Sequence, residues 1–135
     1  MILDTSALLA YFNRSQARHA AVSEAIEGSD QPLVISPYVL AELDYLVATR
    51  IGVTAELHVI DELTGGAWEL VCLDLPEIKR ARDIVDRYSD QLVGLADAAN
   101  IVLAERFRDT TIATLDRRHY SVLRTSDGRA MTIVP

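Results

Sequence analysis

The chain opens Met1-Ile2-Leu3-Asp4-Thr5-Ser6-Ala7-Leu8, and this stretch decides the fold. A short apolar run of strand character ends on an acid, and Thr5 to Asn13 reads as a helix starting directly from it. Far along the chain Thr111-Ile112-Ala113-Thr114-Leu115-Asp116 is a second apolar run closed by an acid. Open α/β sheets bind ligands outside the carboxyl ends of their strands, so Asp4 and Asp116 are candidates for chemistry.

Working outward, strand-like and helical segments alternate without a linker, repeat or low-complexity run, which predicts an α/β fold with a central parallel sheet flanked by helices. A second helix is expected over Gln16 to Glu27, ended by Gly28. Leu33-Val34-Ile35 reads as a strand; Ser36 as cap and Pro37 in the first turn announce a helix to about Arg50. Gly52 and Thr54 separate it from a helix ending before Gly65-Gly66. Trp68 to Leu73 reads as a third strand, followed by a charged helix from near Pro76 to about Tyr88. Gly94 to Arg108 is apolar on nearly every side and should be a largely buried helix, yet it carries Asp97 and Asn100 one turn apart. Thr111 to Leu115 is expected as a buried strand and Met131 to Val134 as a short terminal one.

With 135 residues, half of them apolar, the chain has the size of one domain, 1–135, able to bury a core without staples. Cys72 is the only cysteine, so no internal disulfide can form, and in its apolar run it reads as a small buried hydrophobe in a reducing compartment. No charged leader precedes an apolar segment and no stretch is long enough to span a bilayer, so a cytoplasmic protein away from membranes is expected. The net charge of −7 argues at first sight against nucleic acid. Carboxylates that converge and carry divalent cations would invert that sign locally and attract phosphate. Lys79 is the only lysine, so Schiff-base and P-loop lysine chemistry is nearly excluded.

Asp4, Glu42, Asp97 and Asp116 form the acidic constellation. Mg²⁺ and Mn²⁺ prefer oxygen ligands, keep several waters and need few carboxylates, so four acids suffice for one or two ions. Such ions can generate a hydroxide nucleophile and neutralise charge on a phosphodiester, without a histidine base. Each acid also has a plainer reading. Asp4 suits a helix cap, and Asp97 suits the positive end of its helix dipole. Asp116 suits a turn before Arg117-Arg118. Glu42 and Asp44 flank opposite edges of one apolar stripe, and periodicity does not choose between them. His19, His58 and His119 lack metal spacing and read as surface residues. Arg117, Arg118 and Arg124 are candidates for RNA phosphate contacts beside Asp116, or simply a solvated charged turn.

Taken together, the opening segment, Ser36-Pro37-Tyr38-Val39-Leu40-Ala41-Glu42-Leu43, Leu95-Ala96-Asp97-Ala98-Ala99-Asn100-Ile101-Val102-Leu103-Ala104 and Thr114-Leu115-Asp116-Arg117-Arg118-His119-Tyr120 resemble the successive motifs of PIN-domain ribonucleases, specifically VapC-type toxins of toxin–antitoxin pairs. The resemblance covers essentially the whole chain. It implies the PIN-domain fold, a Rossmann-like three-layer sandwich, with homodimerisation and Mg²⁺-dependent endonucleolytic cleavage of RNA such as tRNA or ribosomal RNA. It makes Asp4 and Asp97 the principal metal ligands, with Glu42 and Asp116 completing the cluster directly or through water, and it selects Glu42 over Asp44. Thr5, Ser6 and Thr114 match small hydroxyl residues that support such a site, and Asn100 lies within the same helix motif. The resemblance departs at His119, which stands where an aromatic is common. A VapB-type antitoxin is implied as partner in a heterooligomer, with an arginine able to enter the acidic cluster.

Other functions compete. An aspartyl-phosphate phosphatase using Asp4 would resemble an Asp-x-Asp motif, and Ser6 stands where the second Asp belongs. A non-catalytic RNA- or protein-binding module keeps the fold without turnover, but all four acids are present here.

Overall fold

The computed structural model describes residues 1–135. Five strands, β1 (Ile2–Leu3), β2 (Val34–Ile35), β3 (Glu69–Leu70), β4 (Thr111–Ala113) and β5 (Thr132–Val134), form one sheet in the order β3-β2-β1-β4-β5, all parallel. Seven helices flank it: α1 (Thr5–Phe12), α2 (His19–Glu27), α3 (Pro37–Arg50), α4 (Val53–Thr64), α5 (Leu75–Arg87), α6 (Leu95–Phe107) and α7 (Arg117–Tyr120). The expected α/β sandwich is therefore present.

Strand periodicity of two explains the layers. Leu3, Ile35 and Ala113 join Ala7, Leu8, Val39 and Leu43 from α1 and α3 in one core cluster. Ile2, Val34 and Ile112 face the other way, onto Ile101, Leu103 and Tyr120 from α6 and α7. Both faces are covered at the centre of the sheet, which is why β1 and β2 are continuously apolar instead of alternating. Each fully buried Leu or Ile contributes roughly 1.5–3 kcal/mol relative to exposure.

Helix boundaries follow local chemistry. Ser36 caps α3 through Val39 N–H at 3.2 Å, and Asp74 with Glu77 forms a capping box on α5. Gly52, at φ 126, takes a backbone that side-chain-bearing residues resist and turns α3 into α4. Seven consecutive residues of α6, Ala98 to Ala104, are buried, as its all-round apolar pattern predicts.

Three expectations need correction. The second helix starts at His19 and not Gln16, because the Asn13 side chain accepts from Ser15 N–H at 3.1 Å and holds the intervening residues in turns. The third strand shrinks from Trp68–Leu73 to Glu69–Leu70, since it is an edge strand paired only with β2. Cys72 is exposed where a buried thiol was expected, because the chain leaves the sheet after that short edge strand.

Candidate active site

The strand order fixes where the site lies. From β1 the sheet grows to one side through β2 and β3, then to the other through β4 and β5, so the order reverses between β1 and β4. Connections leave to opposite faces at such a switch point and open a crevice outside the carboxyl ends of the two strands. Asp4 directly follows β1, and Asp116 follows β4 by three residues. A cleft of about 470 Å³ there is lined by Asp4, Glu42, Asp97 and Asp116 together with Arg50 and His119.

Asp4 is 6% exposed and held from four directions. Its Oδ2 accepts from Ser6 Oγ at 2.6 Å, Thr114 Oγ1 at 2.8 Å and Ser6 N–H at 3.3 Å, and its Oδ1 accepts from the Tyr120 hydroxyl at 3.2 Å. The last Ser6 contact is the helix cap of α1, so the capping and cleft readings of Asp4 are both realised. Ser6 and Thr114 also tie β1 to the end of β4, since Leu115 N–H donates to Ser6 Oγ at 2.9 Å and Asp116 N–H to Thr114 Oγ1 at 2.9 Å.

Behind Asp4 lies a relay that the sequence reading did not contain. Asn100 Nδ2 donates to the Tyr120 hydroxyl at 2.9 Å, and Tyr120 donates onward to Asp4. Tyr120 is fully buried; burial, then the Asp4 and Asp97 charges, raise its phenol well above the ordinary value, so it stays a donor at neutral pH. Asn100 Oδ1 is buried without a partner, which leaves an acceptor unused beside the acids.

Asp97 sits in the first turn of α6 and accepts from Gly94 N–H at 3.0 Å. Burial raises its pKa above the usual range and Asp4's charge adds to that, against lowering by Gly94 N–H, His119 and Tyr120. His119 Nδ1 stands 3.2 Å from Asp97 Oδ2 and 3.6 Å from Asp116 Oδ2. It was read as a surface residue; its only sequence signal is its place three residues after Asp116, one helical turn along α7. Glu42, exposed on α3, is oriented by one hydroxyl, Thr5 Oγ1 at 2.6 Å. Asp116 accepts from Arg118 N–H at 3.1 Å and caps α7.

None of the three arginines expected near Asp116 lines this cleft. Arg117 donates to the Pro135 carbonyl at 2.6 Å. Arg118 is exposed. Arg124 donates to the Ser121 and Leu123 carbonyls, both at 2.8 Å, and lines a separate cleft with Arg80 and Arg87.

The residues present fit a hard divalent cation. No three Asp, Glu or His side chains form a ready-made cage. Mg²⁺, however, retains several waters and takes only one or two carboxylates, so an open row of acids suits it better than a closed chelate. The upward shift of Asp97 beside Asp4 is the electrostatic cost that a bound cation would relieve.

The family description of the PIN domain matches residues 1–124. The chain belongs to the PIN-domain family. This PIN domain is 61% identical over its full 135 residues to Ribonuclease VapC26 of Mycobacterium tuberculosis H37Rv, all of which is covered. It is therefore a homologue of the VapC ribonucleases, and PIN ribonucleases are generally metal-dependent. Among solved structures it resembles Mycobacterium tuberculosis VapC20, described as a sarcin-ricin loop cleaving toxin, with TM-score 0.80 at 18% identity over 87% of this chain and 91% of that one. It also resembles a chain of FitAcB from Neisseria gonorrhoeae (TM-score 0.67, 15% identity, 99% and 96% covered). VapBC2 from Rickettsia felis, bound to a promoter DNA fragment, matches with TM-score 0.67 at 15% identity over 98% and 95%. At these identities the structural matches speak for the fold alone.

Proposed function

We propose that this PIN domain, acting as one unit over residues 1–135, is the toxin of a toxin–antitoxin pair, a Mg²⁺-dependent endoribonuclease that stops growth by cutting structured RNA such as tRNA or ribosomal RNA. The observation that carries the reading is the meeting of four carboxylates from four distant segments in one cleft at the topological switch point. Asp4 and Asp97 are the metal ligands, with Glu42 and Asp116 acting directly or through water, and Mn²⁺ can substitute. Bound there, the cation supplies a water of lowered pKa and neutralises charge developing on the phosphodiester.

The chain's own residues prepare that chemistry. Ser6, Thr114 and Tyr120 fix the Asp4 carboxylate, so no reorientation is needed when substrate arrives. Thr5 aims Glu42 into the cleft, and His119 stands between Asp97 and Asp116. Hydrolysis leaves the chain unmodified, and no nucleophilic side chain is required.

The homology supports a VapB-type antitoxin as partner in a heterooligomer, and the reading includes a second copy of this chain in a homodimer. A guanidinium from the antitoxin would suit the crowded carboxylates. No helix is long and apolar enough to cross a membrane, in keeping with action on RNA in the cytoplasm. The test is to incubate the purified chain and its Asp97→Asn variant with total cellular RNA, in Mg²⁺, in Mn²⁺ and in chelator, and to map new RNA ends by sequencing. Discrete cuts needing both metal and Asp97 are expected; equal cutting by Asp97→Asn would remove that residue from the site.

A further inference from the structure

We propose that Arg50 is a substrate-binding residue of the acidic cleft, gripping an RNA phosphate that flanks the one being cut; the assignment rests on the ribonuclease reading above. Glu42, Leu46 and Arg50 occupy the i, i+4 and i+8 positions of α3, and all three line the cleft. A side chain at this spacing extends the cleft wall along the helix axis, about 12 Å from Glu42 at 1.5 Å per residue. That offset places Arg50 at the rim, beside a neighbouring phosphate and not at the reacting one.

Two further observations single it out. Arg50 makes no ion pair or side-chain hydrogen bond, although the cleft holds four acids. Arg80, Arg82, Arg106 and Arg129 pair with acids elsewhere, and Arg117 and Arg124 donate to carbonyls. Of the arginines left without either kind of partner (Arg14, Arg18, Arg50, Arg87, Arg108 and Arg118), Arg50 alone lines the acidic cleft. Arg50 is also the arginine of the cleft lining, in a chain of net charge −7 whose substrate would be a polyanion. A free guanidinium there offers two parallel donors to a phosphate, and the carboxyl end of α3 supports its charge.

The consequence is a separation of binding from chemistry. In the Asp97→Asn background with Mg²⁺, affinity for a labelled RNA hairpin is measured against salt concentration. Arg50→Ala should weaken binding about tenfold and flatten the salt dependence by roughly one counterion. Arg50→Lys should keep the salt slope and recover part of the affinity, since the charge stays while the fork is lost. Arg82→Ala, on the exposed face of α5, serves as the unchanged control. In the cleaving chain Arg50→Ala should raise KM about tenfold and leave kcat within about twofold. Unaltered affinity and salt slope in Arg50→Ala would overturn the assignment, as would a loss confined to kcat. Absence of cutting by the unmutated chain in metal would instead count against the ribonuclease reading, because the binding arm is read without cleavage.

Discussion

At the start of α6 Asp97 is raised in pKa by burial and by Asp4, while just beyond the end of the same helix Asp109 is lowered. Burial pushes Asp109 upward too, but its Oδ2 lies 2.6 Å from the Met1 amino group and its Oδ1 accepts from Thr111 N–H at 2.8 Å, and these prevail. One end of the sheet thus pairs its single acid with the amino terminus, and the other crowds four acids around one histidine, His119, with Arg50 unpaired in the cleft lining. The difference separates a carboxylate that serves stability from one whose charge is left for something outside the protein to balance.

The linkage runs in opposite directions at the two ends. Asp97's folded pKa is above its unfolded value, so its contribution is present in acid and lost as pH rises through the raised value. Asp109's folded pKa is below the ordinary 3.8, so its contribution is present at neutral pH and lost as pH falls through the lowered value. The sharpest way to break the contrast is Asp97→Asn. It should reduce RNA cleavage about a thousandfold or more and yet raise the Tm of the metal-free protein at neutral pH, by calorimetry. Loss of activity with lowered Tm would place Asp97 among the structural acids.

Thr114→Val tests whether Asp4 needs its clamp. Removing that hydroxyl should cost roughly 10–100-fold in activity or in Mg²⁺ affinity, measured by titration against cleavage rate. Tyr120→Phe goes deeper, leaving Asn100 Nδ2 and one Asp4 oxygen short of a partner. Urea unfolding should show a loss of about 1–3 kcal/mol, and an unchanged midpoint would mean the relay carries no weight. The smallest effect belongs to Asp109→Asn, at most about 1 kcal/mol at pH 7, shrinking to nothing in acid. A difference that persists at pH 2 would show that the ion pair with Met1 is not its source.

The same contrast explains what the sequence disclosed. The places of the inner strands and the long helices were legible because apolar runs and caps are local: Ile2-Leu3, Ser36-Pro37 and the all-apolar middle of α6 need no knowledge of neighbours. Asp4, Asp97 and Asp116 could be grouped because each stands at an element boundary, where an acid can both cap a helix and face a cleft, and each does both here. Glu42 could be separated from Asp44 only by resemblance, since its partner, Thr5, is 37 residues away. His119, Tyr120 and Arg50 escaped for the same reason: a histidine, a buried tyrosine and a helix-terminal arginine acquire their meaning from what the sheet order brings beside them. Cys72 was misread because an apolar run does not reveal that its strand lies at an edge of two residues.

Two of the three hydroxyls that clamp Asp4 come from residues 110 and 116 positions further along the chain. β1 is synthesised first but acquires its β4 neighbour only when nearly all of the protein exists. Such non-local pairing is slow to form, and a chain released before Thr114 has neither the clamp nor Asp116. The protein is consequently born without its cleft: a translation product cut short upstream of β4 lacks that strand and Asp116, and the four acids stand together only once the last segment is made.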